Sequence, residues 1–207
     1  MWTAAQPGVS AGSPTLILAH GAGAPMDSGF MEEMAARLAA QGINVLRFEF
    51  PYMAQRRLDG GKRPPNPAPK LLECWREVYA TVRPYVAGRL AIGGKSMGGR
   101  MASLLADELG ADALVCLGYP FYAVGKPQKP RVEHLATLKT RALIVQGERD
   151  ALGNREAVQG YALSPSIEVM WLVAGDHDLK PLKASGFSHE QHLEAAAQGV
   201  AGFLSQD

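Results

Sequence analysis

The stretch RLAIGGKSMGGRMAS, residues 89–103, decides the fold. Its first part is short and apolar, as in a buried strand, and its last part has the spacing of a helix. Between them, GKSMG (94–98) is a G-x-S-x-G motif in the strand–turn–helix context that this motif requires. Small residues must stand two positions either side of Ser96, because larger side chains would collide in so sharp a turn. The pattern predicts a serine hydroxyl exposed above a sheet.

Similar short apolar runs alternate with helical patterns along the rest of the chain. Buried parallel strands have this composition, apolar on both faces. The alternation predicts one α/β domain over residues 1–207, with a mostly parallel six-stranded sheet and helices on both faces. Residues 1–14 are expected to be a loose N-terminal segment or a short edge segment. The predicted strands are 15–19, 44–50, 89–94, 113–118, 141–147 and 167–174.

Composition excludes several classes of protein. The 207 residues carry a net charge of +1, which argues against a nucleic-acid binder. No apolar run approaches the roughly 18 residues of a membrane-spanning helix, and no Lys or Arg precedes Arg37, so neither a membrane protein nor a secretory signal is expected. Cys74 and Cys116 form no metal or redox motif. A cytoplasmic protein with reduced thiols is expected.

An activated serine needs a base, and the base needs an orienting acid. Ligands of doubly wound sheets bind beyond the carboxyl ends of the strands. Two such ends carry the required residue types, Asp150 after one strand and His177 after the next. Glu148, Asp176 and Asp178 are alternatives for the acid, although the two aspartates adjoin the histidine and are poorly placed to reach its ring.

The loop HGAGAP (20–25) follows the first predicted strand. In this architecture an oxyanion hole takes one backbone N–H from the residue after the serine and another from this loop. Met97 and Ala22 are therefore the expected donors, with Gly23 next. Gly23 is also a candidate for substrate binding, because glycine lets the backbone approach a substrate closely. Dinucleotide binding is an alternative for a glycine-rich turn, but the third glycine of that fingerprint is missing.

Other patterns have more ordinary explanations. The Gly-Lys-Ser of the motif suggests a phosphate loop, but the required earlier glycine would stand at position 89, which is Arg89. His20 is expected to support the loop that follows it. His189 and His192 lie three apart on a predicted helix, a spacing that can suit a metal, yet a solvated helix face is the preferred interpretation. No metal site is expected.

With these motifs together, the chain resembles the α/β-hydrolase superfamily over residues 15–205. More narrowly, HGAGAPMDSGFM, RFEFPYM, GGKSMGGRMAS and GDHDLKP resemble small bacterial hydrolase-like proteins related to the KANL3/Tex30 group. The resemblance implies strand order 2-1-3-4-5-6 by the predicted strands, a catalytic triad of Ser96, Asp150 and His177, and an oxyanion hole at Met97 and Ala22. The chain is shorter than typical members, and residues 119–138 are the only candidate cover for the site.

The expected activity is that of a serine hydrolase that cleaves a carboxylic ester, thioester or related acyl bond of a small molecule, without a cofactor. The alternative is an interaction module of the same fold with little or no turnover. The sequence leaves the acyl chain, the leaving group and the oligomeric state open.

Two groups of residues are candidates for substrate binding. The loop 55–70 follows the second predicted strand, and Arg56 and Arg57 in it would present positive charge to an anionic substrate. A solvated proline-rich loop is the alternative. Tyr52 and Tyr119, with the aromatic residues after the latter, would line an apolar pocket, although aromatic residues near strand ends are often part of the core.

Overall fold

Seven strands form one sheet in the order β1-β3-β2-β4-β5-β6-β7. The computed structural model describes residues 1–6 and 12–206. All neighbouring strands are parallel except β1, which pairs antiparallel with β3. The strands are β1 Trp2–Thr3, β2 Thr15–Ala19, β3 Asn44–Phe48, β4 Leu90–Lys95, β5 Ala113–Leu117, β6 Ala142–Gly147 and β7 Ile167–Leu172. The predicted order of the six parallel strands is confirmed.

Helices cover both faces of the sheet. Helices α1 and α7 pack on one face, and the remaining helices contribute to the apolar core on the other. Successive strand residues alternate between these two cores, so the central strands are buried on both sides. The helices are α1 Gly29–Ala40, α2 Pro51–Asp59, α3 Ala68–Val82, α4 Met97–Ser103, α5 Ala106–Leu109, α6 Arg155–Gln159 and α7 His189–Ser205.

The N-terminal segment is the first difference from the predicted six strands. Trp2 pairs with Leu46 and Thr3 with Val45, which adds a seventh, antiparallel strand at the edge. This agrees with the short edge segment that was one of the two expectations for residues 1–14. Residues 7–11 of that segment lie outside the described residues.

Both ends of the expected loop 55–70 are helical instead, because α2 extends to Asp59 and α3 begins at Ala68. Pro51 stands in the first turn of α2, where its missing N–H costs nothing, and Gly60 ends the helix in a left-handed conformation with φ of 70°. Only Tyr52 and Met53 of this helix are buried. With so narrow a buried face, α2 lacks the apolar repeat by which a helix is predicted.

This topology brings the carboxyl ends of β2, β4, β6 and β7 to one edge of the sheet. Each of the loops that follow these strands contains one of the residues singled out in the sequence, Ala22, Ser96, Asp150 and His177. No helix within the described residues is both long and apolar enough to cross a membrane.

Candidate active site

Ser96 stands at a strained turn between β4 and α4. Its φ of 50° and ψ of −116° lie where residues other than glycine are uncommon. A Cβ atom on Gly94 would approach the Ala19 carbonyl oxygen to 2.6 Å, and one on Gly98 would meet the same oxygen at 2.6 Å. Both positions of the motif therefore require glycine, as the steric argument from the sequence predicts.

A continuous set of hydrogen bonds joins Ser96, His177 and Asp150. Ser96 Oγ lies 2.8 Å from His177 Nε2, and His177 Nδ1 lies 2.8 Å from Asp150 Oδ2. The Asp150 carboxylate is fully buried and also accepts hydrogen bonds from Gln146 Nε2 at 2.9 Å and from Leu152 N–H at 2.7 Å. The structure thus brings the three predicted residues together with the acid fixed from two further directions.

The alternative acids are engaged elsewhere. The Glu148 carboxylate accepts from Arg155 at 2.7 Å and from the backbone N–H of Ala174 at 3.0 Å. Asp176 Oδ1 accepts from backbone N–H groups of its own turn, and Asp178 pairs with Lys95 at 3.1 Å. Among the four acids considered from the sequence, Asp150 is the one hydrogen-bonded to the ring of His177.

The loop after β2 is held in place by two aromatic side chains. His20 is fully buried, and its Nε2 accepts from Phe50 N–H at 3.1 Å, so Nδ1 carries the proton and donates to the Gly21 carbonyl at 2.7 Å. Burial lowers the pKa of His20, which favours this neutral form. The Tyr52 hydroxyl donates to the Ala22 carbonyl at 2.9 Å. His20 supports this loop, as predicted.

A cavity of about 410 Å³ opens beside Ser96. Both expected oxyanion-hole residues, Ala22 and Met97, line it, whereas Gly23 does not. Four of its lining residues come from the predicted cover 119–138. None of the described residues that line the cavity is acidic. They are Ala22, Pro65, Asn66, Ala68, Leu71, Ser96, Met97, Arg100, Met101, Pro120, Ala123, Val124, Arg131 and Leu152.

A family model described as an alpha/beta hydrolase domain matches residues 12–205. The chain belongs to the alpha/beta hydrolase family. The expected superfamily is thereby confirmed, and so is the fold class.

Solved structures with the same fold include a serine hydrolase without a lid from Xanthomonas campestris. It is 20% identical, has a TM-score of 0.72, and the match covers 100% of this chain and 89% of that one. Est1E from Butyrivibrio proteoclasticus with bound ferulic acid is 15% identical, with a TM-score of 0.72 and coverage of 100% and 95%. A dienelactone hydrolase from Anabaena variabilis is 20% identical, with a TM-score of 0.70 and coverage of 94% and 86%.

Lys95 contributes a contact that the sequence did not reveal in this alpha/beta hydrolase. Its Nζ donates to the His177 carbonyl at 2.6 Å and lies 3.1 Å from Asp178 Oδ1. Burial lowers the pKa of Lys95, and the charge of Asp178 opposes this effect. The side chain therefore ties the strand that carries the serine to the loop that carries the histidine. The lysine inside the motif was the available signal, but its partners lie more than 80 positions away.

The two aromatic residues predicted to bind substrate in this hydrolase, Tyr52 and Tyr119, are buried. The structure corrects the expectation for Tyr119, which is fully buried in the core, with its hydroxyl donating to the Arg131 carbonyl at 3.0 Å. The Tyr52 ring is buried as well and reaches the site only through its hydroxyl. Tyr52 and Tyr119 were expected on the pocket wall, but neither is among the residues that line the cavity beside Ser96.

Arg56 and Arg57 line a different cavity, which also includes Glu49. The guanidinium of Arg57 pairs with Asp27 at 2.8 Å and with Glu49 at 2.5 Å. Because two carboxylates already meet its charge, the structure gives no support to Arg57 as a binder of anionic substrate. Neither arginine is among the lining residues of the cavity beside Ser96.

The two histidines at metal-like spacing bind backbone carbonyls. His189 Nε2 lies 2.9 Å from the Asp178 carbonyl, and His192 Nδ1 lies 2.8 Å from the Leu179 carbonyl. The described part of the chain holds no group of three or more His, Cys, Asp or Glu side chains arranged to bind a metal ion.

Proposed function

We propose that the protein is a serine hydrolase that cleaves a carboxylic ester, thioester or related acyl bond of a small molecule. Ser96 is the nucleophile, His177 the general base and Asp150 the orienting acid. The observation that carries this proposal is the unbroken chain from Ser96 Oγ through His177 to Asp150, with both hydrogen bonds at 2.8 Å. These distances suit proton transfer by a positioned imidazole.

The arrangement assigns each proton in the reaction. Asp150 accepts a hydrogen bond from His177 Nδ1–H, which leaves Nε2 free to take the proton of Ser96 as its oxygen attacks the acyl carbon. The resulting imidazolium then donates that proton to the leaving group. In the second half of the reaction, His177 takes a proton from water as the water oxygen attacks the acyl-enzyme. It then returns that proton to Ser96 Oγ as the bond to the acyl carbon breaks. The reaction as proposed needs no metal or organic cofactor.

The negative charge of the tetrahedral intermediate requires hydrogen-bond donors that are already in position. Met97 begins α4 directly after the serine, and Ala22 lines the same cavity. We assign the two backbone N–H groups to the oxyanion hole. The Ala22 N–H shares its peptide group with the Gly21 carbonyl, which accepts from His20 Nδ1 at 2.7 Å, and the Tyr52 hydroxyl holds the next peptide through the Ala22 carbonyl.

Two finer assignments belong to the same proposal. The motifs around His20, Ser96 and His177 favour the small bacterial hydrolase-like proteins related to the KANL3/Tex30 group as the nearest subfamily. A cytoplasmic location is supported by Cys74 and Cys116, which are both free thiols.

The first test is labelling with a fluorophosphonate probe, which reacts with activated serines. We expect labelling of the wild type and none of Ser96→Ala, together with Ser96-dependent release of product from at least one member of a panel of short-chain esters, thioesters and amides. The thermal unfolding midpoint of Ser96→Ala provides the control for folding. Absence of labelling and of turnover in folded wild-type protein would instead favour an interaction module.

A further inference from the structure

Two arginines line the cavity beside the candidate nucleophile. Arg100 stands on α4, four residues after Ser96, and Arg131 belongs to the segment between β5 and β6. Both side chains are half-buried. Among the described residues that line the cavity, none is acidic. Two positive charges therefore share a small space with no negative charge on its walls.

Arg100 is incompletely satisfied by the protein. Its Nε is buried and has no hydrogen-bond partner in the described structure. Burial lowers the pKa of Arg100; the Tyr119 hydroxyl opposes this effect, and the positive charge of Arg131 adds to it. Arginine nevertheless stays protonated at neutral pH. A charged group that is partly desolvated and lacks a counter-ion is unfavourable unless something else pairs with it.

Several arginines elsewhere in the molecule meet carboxylates. Arg57 pairs with Asp27 and Glu49, Arg76 pairs with Glu108 at 2.6 Å, and Arg37 pairs with Glu33 and Glu194 at 2.7 and 2.8 Å. No carboxylate within residues 1–6 and 12–206 forms such a pair with Arg100 or Arg131. Arg47 and Arg141 also lack a carboxylate, but their guanidinium groups donate to backbone carbonyls, whereas no such acceptor is found for Arg100 in the described structure.

We propose that Arg100 and Arg131 bind an anionic group, such as a carboxylate, that the substrate carries near its acyl bond. The inference rests on the proposed hydrolase function and names the substrate class of that site. Guanidinium groups bind carboxylates through paired, charge-assisted hydrogen bonds. Leu71, Met101 and Leu152 supply apolar walls for the hydrocarbon part of the same molecule. The site accordingly selects an acyl compound that is apolar near its centre and negatively charged at one end.

Two matched pairs of substrates, one of 4-nitrophenyl esters and one of substituted phenyl esters, test this selection. The first pair is the 4-nitrophenyl monoester of adipic acid with its distal carboxyl either free or methylated, which places the charge on the acyl side. The second pair is the hexanoyl ester of 4-hydroxybenzoate and of its methyl ester, which places the charge on the leaving group. We expect the wild type to prefer the charged member of at least one pair.

The variants are Arg100→Gln, Arg131→Gln and the charge-retaining Arg100→Lys. Each glutamine variant should lower kcat/KM for the charged member by roughly 10- to 100-fold, because one charge-assisted hydrogen bond is lost. Hydrolysis of the methylated member should change little. Lys129→Gln is the matched control: this exposed lysine lies two residues from Arg131 and does not line the cavity, so its loss should leave both rates unchanged.

Binding is measured separately from turnover. Ligand-observed NMR titration of Ser96→Ala with the monoamide of adipic acid should show binding that Arg131→Gln in the same background weakens. If no ester is hydrolysed but this binding is lost in the arginine variant, the anion site stands and the hydrolase proposal fails. If esters are hydrolysed without preference for the charged member, the anion site is refuted. Arg56→Gln serves as a second control, because Arg56 lines the other cavity. The site is also refuted if Arg56→Gln or Lys129→Gln abolishes the preference while Arg131→Gln keeps it.

Discussion

Replacing Asp150 with asparagine tests the proposed triad most sharply, because the side chain keeps its size while one acceptor becomes a donor. Leu152 N–H donates to Oδ1 at 2.7 Å, whereas Gln146 Nε2 and His177 Nδ1 approach Oδ2 at 2.9 and 2.8 Å. An asparagine that keeps its oxygen toward Leu152 must turn its NH₂ group toward the other two. That group would face one donor, the amide of Gln146, and a ring nitrogen that can no longer donate to it.

The consequence is a change of tautomer at His177. The ring accepts from the new amide at Nδ1 only if its proton moves to Nε2, and Nε2 can then no longer accept the proton of Ser96. A wrong tautomer of this kind lowers kcat by about 10⁴-fold in a serine triad. The buried donor left facing Gln146 costs about 1–3 kcal/mol of folding free energy.

Steady-state hydrolysis of the best ester and urea denaturation measure the two effects separately. Asp176→Asn is the matched control, since Asp176 also adjoins His177 but uses its carboxylate to accept backbone N–H groups, which an asparagine oxygen can still do. We expect this control to retain most of its activity. A value of kcat for Asp150→Asn within threefold of the wild type, or a larger loss in Asp176→Asn, would refute the assignment of the acid.

Two further variants address the surroundings of the triad, and a third addresses the half-buried His134. Tyr52→Phe removes the 2.9 Å hydrogen bond to the Ala22 carbonyl, so kcat should fall severalfold with KM little changed, at about 1 kcal/mol of stability; an unchanged kcat would mean that the loop needs no such support. Lys95→Met removes the donor to the His177 carbonyl, so kcat should fall. The unfolding midpoint should move little, because the substitution also removes a desolvated charge. A kcat equal to that of the wild type would contradict a positioning role for Lys95. Burial lowers the pKa of His134 to about 4 from 6.5. The unfolded chain therefore binds a proton before the folded chain does, and the free energy of unfolding falls as the pH drops between these values. In urea denaturation His134→Asn should show a shallower decline over that range, and an equal decline would refute this assignment.

The parallel strands could be predicted because the sheet is buried on both faces. Each strand then consists almost entirely of apolar residues, and the turn after it interrupts the run clearly. Helix α2 could not be predicted in this way, since it buries only Tyr52 and Met53 and turns Arg56 and Arg57 outward. The helix predicted after Ser96 is divided into α4 and α5, and Leu104 at the break is 36% exposed while Leu105 is 1% exposed. Local backbone geometry of this kind leaves no mark in apolar spacing.

The three residues proposed for the triad follow from topology, because the carboxyl ends of parallel strands must meet at one edge. The residues around them do not follow in the same way. Tyr119 also comes directly after a strand, yet its ring turns into the core, where the Arg131 carbonyl accepts its hydroxyl. Lys95 lies inside the recognised motif, but its contact with the His177 carbonyl joins two loops that only the folded chain brings together.

The availability of an arginine to a substrate is decided by its partners rather than by its position in the chain. Arg57 satisfied every criterion that a sequence offers, because it follows a strand at the correct edge in a basic segment. Asp27 and Glu49 approach it from two loops and neutralise it. Arg100 lies within a helix next to the nucleophile, and Arg131 lies in the long segment between β5 and β6. Neither pairs with a carboxylate in the described residues, so a search for the substrate should begin with molecules that supply one.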